Sequence, residues 1–163
     1  MKNMQRRSRR CWVQVAASTP KLRRGSRCIE ILDGQPKRVV QRYYNEVVTE
    51  RRLEVLGELL APRFVGHDPT GATMDRVEYH DAVRMLHDGF GTLVVTIDDQ
   101  IAEKDRVTTR WTATGTHTDW FAGIPATGRV VTLNGTDIHR LEGGRIAELW
   151  EQLDLATLLA QLL

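Results

Sequence analysis

The chain has 163 residues, of which 41% are hydrophobic and 27% are charged, and its formal net charge is +2. This size and composition indicate one globular domain with a sizeable core and argue against a two-domain protein. No apolar run approaches the roughly 20 residues of a membrane helix, so we expect a soluble protein with no membrane contact.

The charge is distributed unevenly along the chain. Residues 1–27 hold nine basic residues and no acidic one, namely Lys2, Arg6, Arg7, Arg9, Arg10, Lys21, Arg23, Arg24 and Arg27. Because the total is +2, the remainder carries −7. We interpret residues 1–34 as a basic, disordered extension, with a targeting segment and an anion-binding arm as alternatives, and residues 35–163 as the domain.

Both cysteines, Cys11 and Cys28, lie in this extension and show neither metal-ligand spacing nor a disulfide pattern. Their placement favours a reducing, cytoplasmic setting. Nucleic-acid binding would depend on the basic extension alone, so it is not expected of the domain.

The first half of the domain has helical patterns. Pro36 suits a first helical turn, and apolar residues then recur at helical spacing (Val40, Tyr43, Tyr44, Val47 and Val48). A second helical segment covers 53–60, and a short strand over 63–67 runs into the His67-Asp68-Pro69 turn. Asp75 with Glu78 resembles a capping box that opens a third helix to about Asp88.

The second half has the alternation of strands. The predicted strand over 106–118 alternates an inward set (Val107, Thr109, Trp111, Ala113, Gly115 and His117) with outward residues that include Arg110 and several threonines. Strands are also predicted over 93–101 and 128–141, and a short apolar helix over 155–163 begins after Asp154.

The stretch 134–154 predicts a hairpin with a tight Glu142-Gly143-Gly144 turn. Residues two apart in a strand share a face. Alternation therefore predicts that one surface carries Asp137 and His139 from the first strand and Glu148 and Trp150 from the second. A carboxylate, an imidazole and an indole together are unusual for a plain core.

Helices followed by long antiparallel strands predict an α+β domain, with the helices packed on one face of a strongly curved antiparallel sheet. The motifs of the second half resemble the SnoaL-like polyketide cyclase (ester cyclase) family of the NTF2-like superfamily. They are His117 with Phe121 to Arg129, Gly135 to Arg140, and Gly144 to Ile146 with Glu148, Trp150 and Asp154. The resemblance extends from about Pro36 to the C-terminus and implies an NTF2-like cone.

The resemblance implies ring closure by an intramolecular aldol reaction without a metal or an organic cofactor. The position that matches the family's acid/base aspartate is Asp137. An apolar pocket could raise its pKa towards neutrality, so that one carboxyl removes and returns a proton. His117 is the second catalytic candidate, as a hydrogen-bond donor to an enolate or as a residue that orients Asp137, with a strand-end role as its alternative.

Seven further residues are predicted to bind a small-molecule substrate. Aromatic residues would form the wall of the pocket, His67 its mouth, and Glu148 a second carboxylate, although an ion pair with Arg145 or Arg129 suits Glu148 equally. The set is Tyr44, Phe64, His67, Trp111, His139, Glu148 and Trp150. Asp137 could instead pair with Arg110 or Arg140, and no role is specific to His139.

The sequence is compatible with three functions. The first is the cyclase, and the second keeps the pocket but makes it an isomerase, a dehydratase or a hydrolase. The third is a non-catalytic binding or dimerisation module. No metal-ligand pattern, nucleophile elbow or phosphate loop is present. The threonine-rich outward face of the sheet predicts a homodimer.

Overall fold

A computed structural model of the protein describes residues 35–163. The basic extension predicted over 1–34, with both cysteines, lies outside the described residues. None of the helices within residues 35–163 combines the length and hydrophobicity that a membrane crossing requires.

Two helical segments open the domain. Helix α1 covers residues 35–49; it is α-helical over 35–42 and widens to a π-helix over Tyr43–Thr49. Helix α2 begins as a 3₁₀ turn, Leu53–Val55, and continues as Leu56–Leu59. The π-helical turn buries two adjacent pairs of side chains, Tyr43 with Tyr44 and Val47 with Val48. Two consecutive tyrosines thereby reach the interior.

The chain then forms strands β1 (Leu60–His67) and β2 (Thr73–Met74) and the long helix α3 (Arg76–Gly89). Strand β1 begins three residues earlier than predicted because Leu60 already pairs with Ile146. The capping box of α3 is confirmed, since the Asp75 side chain accepts from Val77 N and Glu78 N while Glu78 accepts from Asp75 N.

Four further strands and one helix complete the fold. They are β3 (Phe90–Glu103), β4 (Arg106–His117), β5 (Val130–Glu142), β6 (Arg145–Trp150) and α4 (Leu155–Leu162). The strand order of the six-stranded sheet is β2-β1-β6-β5-β4-β3. All neighbouring pairs are antiparallel except β1 and β6, which run parallel. The Asp154 carboxylate caps α4 by accepting from Thr157 N at 2.9 Å.

The hydrophobic core lies between the helices and the inner face of the curved, unclosed sheet. The inward set predicted for β4 is buried throughout. On β5 the residues Val131, Asp137, His139 and Leu141 are buried from the same side. The prediction of an α+β cone, with helices packed on a strongly curved sheet, is therefore confirmed.

Candidate active site

Asp137 lies on the inner face of β5, opposite Thr109 of β4, and only 3% of its surface is exposed. Its Oδ2 atom accepts two hydrogen bonds, one from the Tyr44 hydroxyl at 2.5 Å and one from Trp111 Nε1 at 2.8 Å. The Oδ1 atom is buried and has no hydrogen-bond partner among the described residues. Asp137 also forms no ion pair within residues 35–163, so the alternative pairing with Arg110 or Arg140 is wrong.

Burial raises the pKa of Asp137 to about 6, because the charged form loses its hydration in the interior. The hydrogen bonds from Tyr44 and Trp111 favour the charged form and offset part of this effect. A carboxyl group with such a pKa exchanges protons near neutral pH, which an exposed aspartate does not do.

The indole that contacts Asp137 depends on a glycine in the neighbouring strand. Trp111 on β4 is paired with Gly135 on β5. A Cβ atom at position 135 would lie only 2.2 Å from Trp111 Cζ2. The absent side chain at Gly135 therefore makes room for the indole, which reaches along the strand to donate its hydrogen bond to Asp137 two residues further on.

A second acidic residue, Glu151, belongs to the same inner surface. The Tyr79 hydroxyl donates a hydrogen bond to Glu151 Oε1 at 3.0 Å, and the hydroxyls of Tyr79 and Tyr43 are 2.5 Å apart. Because Tyr79 uses its only proton towards Glu151, Tyr43 donates to Tyr79. Burial and the nearby charge of Asp137 raise the pKa of Glu151 to about 8. The sequence alternation did not identify this residue.

His139 lies between the two tyrosines of α1. Its ring centroid is 5.8 Å from that of Tyr43 and 5.8 Å from that of Tyr44. The side chain is fully buried, and neither ring nitrogen has a hydrogen-bond partner among the described residues. Burial lowers the pKa of His139 to about 3, so the imidazole is neutral at physiological pH.

The prediction that Glu148 and Trp150 share the face of Asp137 is wrong. The pairing of β5 with β6 shifts between Leu141, which pairs with Ile146, and Arg140, which pairs with Glu148. Ala147 is the additional residue of this bulge, and it is buried together with Ile146. One additional residue turns every later side chain to the opposite face. Glu148 and Trp150 consequently lie on the outer face.

His67 also lies on the outer face. We call the group of Glu148, Trp150, His67, Arg140 and Arg106 the outer cluster. Glu148 accepts from Arg140 Nε at 2.9 Å and lies 3.0 Å from His67 Nε2. The His67 and Trp150 rings are stacked with centroids 5.2 Å apart, and the Arg106 guanidinium lies 5.3 Å from the Trp150 ring centroid. The predicted ion pair of Glu148 therefore exists, but with Arg140 and not with Arg145 or Arg129.

The prediction that His117 orients Asp137 is also wrong. His117 ends β4, eight residues beyond Thr109, which pairs with Asp137. Eight strand residues span roughly 26 Å. His117 Nδ1 instead accepts from Thr127 N at 3.3 Å and lies 3.0 Å from Thr127 Oγ1, which ties the strand end to the following loop.

Phe64 lies inside the cone, where its ring packs against Tyr79 with centroids 5.0 Å apart. We call the inward-facing group of Asp137, Glu151, Tyr43, Tyr44, Tyr79, Trp111 and His139 the inner cluster. Its carboxyl groups are held by phenols and an indole and, among the described residues, by no cationic side chain. No group of three metal-ligating side chains occurs within residues 35–163.

A cavity of about 420 Å³ adjoins the inner cluster. Its lining includes Trp111, Gly135 and Thr136, together with Gln152 and Leu153. These residues flank Asp137 on β5 and Glu151 after β6. The lining also includes Asp98, Arg110 and Asn134, which belong with Thr136 to the outer face of the sheet, and Asp154. A second cavity, of about 490 Å³, lies at the start of α1. Neither cavity is lined by Asp137, which Tyr44 and Trp111 cover.

The fold and the site together define an NTF2-like α+β cone with a buried carboxyl group, Asp137, and a half-buried one, Glu151, on its inner face. Residues 38–162 match the family model of SnoaL-like polyketide cyclases. The protein therefore belongs to the SnoaL-like polyketide cyclase family.

Solved structures agree with this assignment. IdmH from Streptomyces antibioticus, a proposed polyketide cyclase, is 34% identical, with 78% of this chain and 98% of IdmH covered and a TM-score of 0.71. TsrD from Streptomyces laurentii is 26% identical, with 79% and 95% covered and a TM-score of 0.71. A proposed SnoaL-like polyketide cyclase from Jannaschia sp. CCS1 shares the fold at 21% identity, with 80% and 93% covered and a TM-score of 0.76. A search of curated proteins finds no significant match.

Proposed function

We propose that the protein is a cyclase that closes a ring in a polyketide-like substrate by an intramolecular aldol-type reaction, with Asp137 as general acid/base and no cofactor. The observation that carries the proposal is the state of the Asp137 carboxyl group. It is buried, has a free Oδ1 atom among the described residues, and is surrounded by aromatic side chains in place of a cation. Membership of the family and the similarity to IdmH support the same reaction class.

The chemistry asks for a base that removes a proton from a carbon atom next to carbonyl groups. The resulting enolate carbon attacks a ketone carbon of the same molecule, a carbon–carbon bond forms, and the ketone oxygen receives a proton. The product is an isomer of the substrate, so atoms and electrons balance without an oxidant. An ionised Asp137 whose pKa lies near 6 is a competent base at pH 7.

Substrate entry requires movement of the aromatic cover. Because Asp137 is only 3% exposed, a substrate reaches its Oδ1 atom when Tyr44 and Trp111 move apart. Trp111 is shared between the Asp137 hydrogen bond and the 420 Å³ cavity. We propose that a flat polyketide ring enters from this side and stacks against the indole.

A product screen tests this proposal. The wild type and Asp137→Asn are incubated with a panel of aromatic polyketide methyl esters, and ring closure is followed by absorbance and mass spectrometry. We expect turnover by the wild type and a loss of about 10²–10⁴-fold in the variant. Glu148→Gln is the matched control, because it neutralises a carboxylate of the same sheet on the outer face. Full activity of Asp137→Asn would exclude Asp137 as the acid/base.

Isomerisation, dehydration and hydrolysis would use the same carboxyl group, and the panel therefore includes small enones and epoxides. An epoxide hydrolase would need two carboxylates around an arginine. Arg110 lies on the outer face and bonds Asp98 at 2.9 Å, which disfavours that reaction. If no substrate is turned over but ligands still bind, the non-catalytic binding module is the correct alternative.

We also propose that the protein acts in the cytoplasm as a homodimer that associates through the outer face of the sheet. Val94 and Val130 are exposed on this face, which also carries the exposed Thr114 and Thr132. Exposed apolar and threonine side chains on a sheet suit contact with a second sheet. Sedimentation at micromolar concentration should give twice 18.5 kDa, and Thr114→Glu should lower the mass to that of the monomer. A monomeric wild type would contradict the proposal.

A further inference from the structure

Glu151 and Asp137 are direct neighbours across the sheet. Ile138 pairs with Trp150, Thr136 N donates to Gln152 O, and Gly135 forms a bridge with Leu153. This register places Glu151 opposite Asp137. Leu149 is buried on the inner face and Trp150 lies on the outer one, so alternation directs Glu151 inward. Directly opposed residues have Cβ atoms about 4.5–5.5 Å apart.

The second carboxyl group has its own set of hydrogen-bond donors. Asp137 is held by Tyr44 and Trp111, whereas Glu151 is held by Tyr79, which Tyr43 supports in turn. The donors that contact the two carboxyl groups come from different elements, since Tyr44 lies on α1 and Trp111 on β4, whereas Tyr79 lies on α3. The carboxyl groups are thus adjacent but separately positioned.

Two neighbouring carboxyl groups in an apolar site do not both ionise at neutral pH. No cationic side chain of the described residues bonds either group, and Asp68, in the loop after β1, adds further negative charge near Glu151. Asp137, with a pKa of about 6, gives up its proton first, while Glu151, with a pKa of about 8, keeps its proton at pH 7. The pair therefore contains one base and one acid.

We propose that Glu151 is the proton donor of the site, so that Asp137 removes the proton from carbon and Glu151 protonates the oxygen of the attacked ketone. The inference rests on the proposed function and divides between two residues the work assigned there to Asp137. After one turnover Asp137 is protonated and Glu151 is ionised. Transfer of that proton from Asp137 to Glu151, across adjacent strands, restores the starting state, and no proton is gained or lost overall.

The first test needs no substrate. The protein is labelled with ¹³C at the Glu and Asp side-chain carboxyl carbons and titrated by NMR. We expect one Glu carboxyl, absent from Glu151→Gln, to titrate well above the ordinary range. Its midpoint should fall in Asp137→Asn, which removes the neighbouring charge, and rise in Tyr79→Phe, which removes the hydrogen bond that favours ionisation. A Glu151 that titrates in the ordinary range would overturn the proposal and would leave the role of Asp137 untouched.

The second test uses the methyl ester that the wild type cyclises best. We expect Glu151→Gln to lose about 10²-fold in kcat, because the ketone oxygen no longer receives a proton from a carboxylic acid. The loss of rate at high pH, which reports ionisation of Glu151, should disappear in this variant. Glu151→Asp should restore part of the rate, and Glu148→Gln should behave like the wild type.

The outcomes separate the two proposals. If Glu151→Gln keeps its rate and its high-pH limb while Asp137→Asn is inactive, Asp137 performs both proton transfers and Glu151 is not the donor. If both variants keep full activity, neither carboxyl group carries the proton transfers, and the acid/base role given to Asp137 in the proposed function fails as well. Circular dichroism of each variant shows whether a lost rate reflects a lost fold, and in that case the Glu151→Asp rate and the NMR titration decide.

Discussion

The inner and outer clusters carry the same kinds of side chain on opposite faces of one sheet, but their environments differ. In the outer cluster Glu148 lies between Arg140 and His67. Partial burial raises its pKa, but the hydrogen bonds of His67 and Arg140 outweigh this effect and hold the pKa below the usual range. In the inner cluster Asp137 and Glu151 have phenol and indole donors, and burial raises both pKa values.

This difference shows that residue type alone does not determine the pH at which a carboxyl group ionises. The ion pair with Arg140 and the hydrogen bond to His67 keep Glu148 charged over the physiological range, where it cannot exchange protons usefully. A buried carboxyl group with neutral donors changes its protonation state near neutral pH.

The largest expected effect concerns the pH dependence of stability. The folded-state pKa of Asp137 lies above its usual value of 3.8, so the native protein binds this proton more tightly than the unfolded chain. The contribution of Asp137 to the free energy of unfolding is fully present below about pH 4 and is lost as the pH rises to about 6. The shift corresponds to about 3 kcal/mol. Asp137→Asn should therefore gain about that much relative to the wild type between pH 4 and pH 7, measured by urea unfolding.

In the same experiment, Glu148→Gln should change the pH dependence of stability in the opposite direction. Because the folded-state pKa of Glu148 is lowered, its contribution to stability is present at neutral pH and is lost as the pH falls. The relative stability of this variant should thus increase towards acid pH. If both variants showed the same slope, the contrast between the two clusters would be wrong.

A smaller effect is expected from Gly135→Ala. The new Cβ atom would overlap with the Trp111 ring, so the indole must move and its hydrogen bond to Asp137 weakens. We expect a loss of about 1–3 kcal/mol in the free energy of unfolding. Gly143→Ala tests a turn glycine outside the cluster, where the strain comes from a φ of 57° and no atom lies within 4 Å of the new Cβ. Only the first variant should alter Trp111 fluorescence.

Tyr44→Phe should have a smaller effect on the inner cluster, namely a shift in the pKa of Asp137. It keeps the aromatic cover but removes the 2.5 Å hydrogen bond that favours the ionised form of Asp137. The pKa of Asp137 should rise, so the low-pH limb of the rate profile should move by about one unit to higher pH. Tyr43→Phe, which leaves Asp137 Oδ2 with both donors, is the control. An unchanged limb in Tyr44→Phe would show that the phenol does not control this carboxyl group.

The smallest effect is expected from Glu148→Gln at pH 7. The outer cluster is partly exposed, and ion pairs of this kind contribute about 1 kcal/mol or less. We expect a stability change within that range and a turnover rate within about two-fold of the wild type. A large loss of turnover would mean that the substrate contacts the outer cluster, and the assignment of the site to the inner face would then be incorrect.

Much of the molecule could be predicted from the sequence because the relevant signals are local. The capping box at Asp75 and Glu78 depends on residues three apart, and the cap at Asp154 depends on the helix that follows at once. The alternation along β4 identified its buried residues, and the same rule placed Asp137 and His139 on one face. The family motifs indicated the cone and singled out Asp137.

The composition of the site was decided by the tertiary structure. The bulge at Ala147 depends on how β6 pairs with β5, and it moved Glu148 and Trp150 to the outer face while it brought Glu151 opposite Asp137. The hydroxyls of Tyr44 and Tyr79 reach these carboxyl groups from 93 and 72 residues away in the chain. Alternation within one strand is a local property, whereas register between strands is a property of two segments together, and a shift of one residue exchanges the two faces.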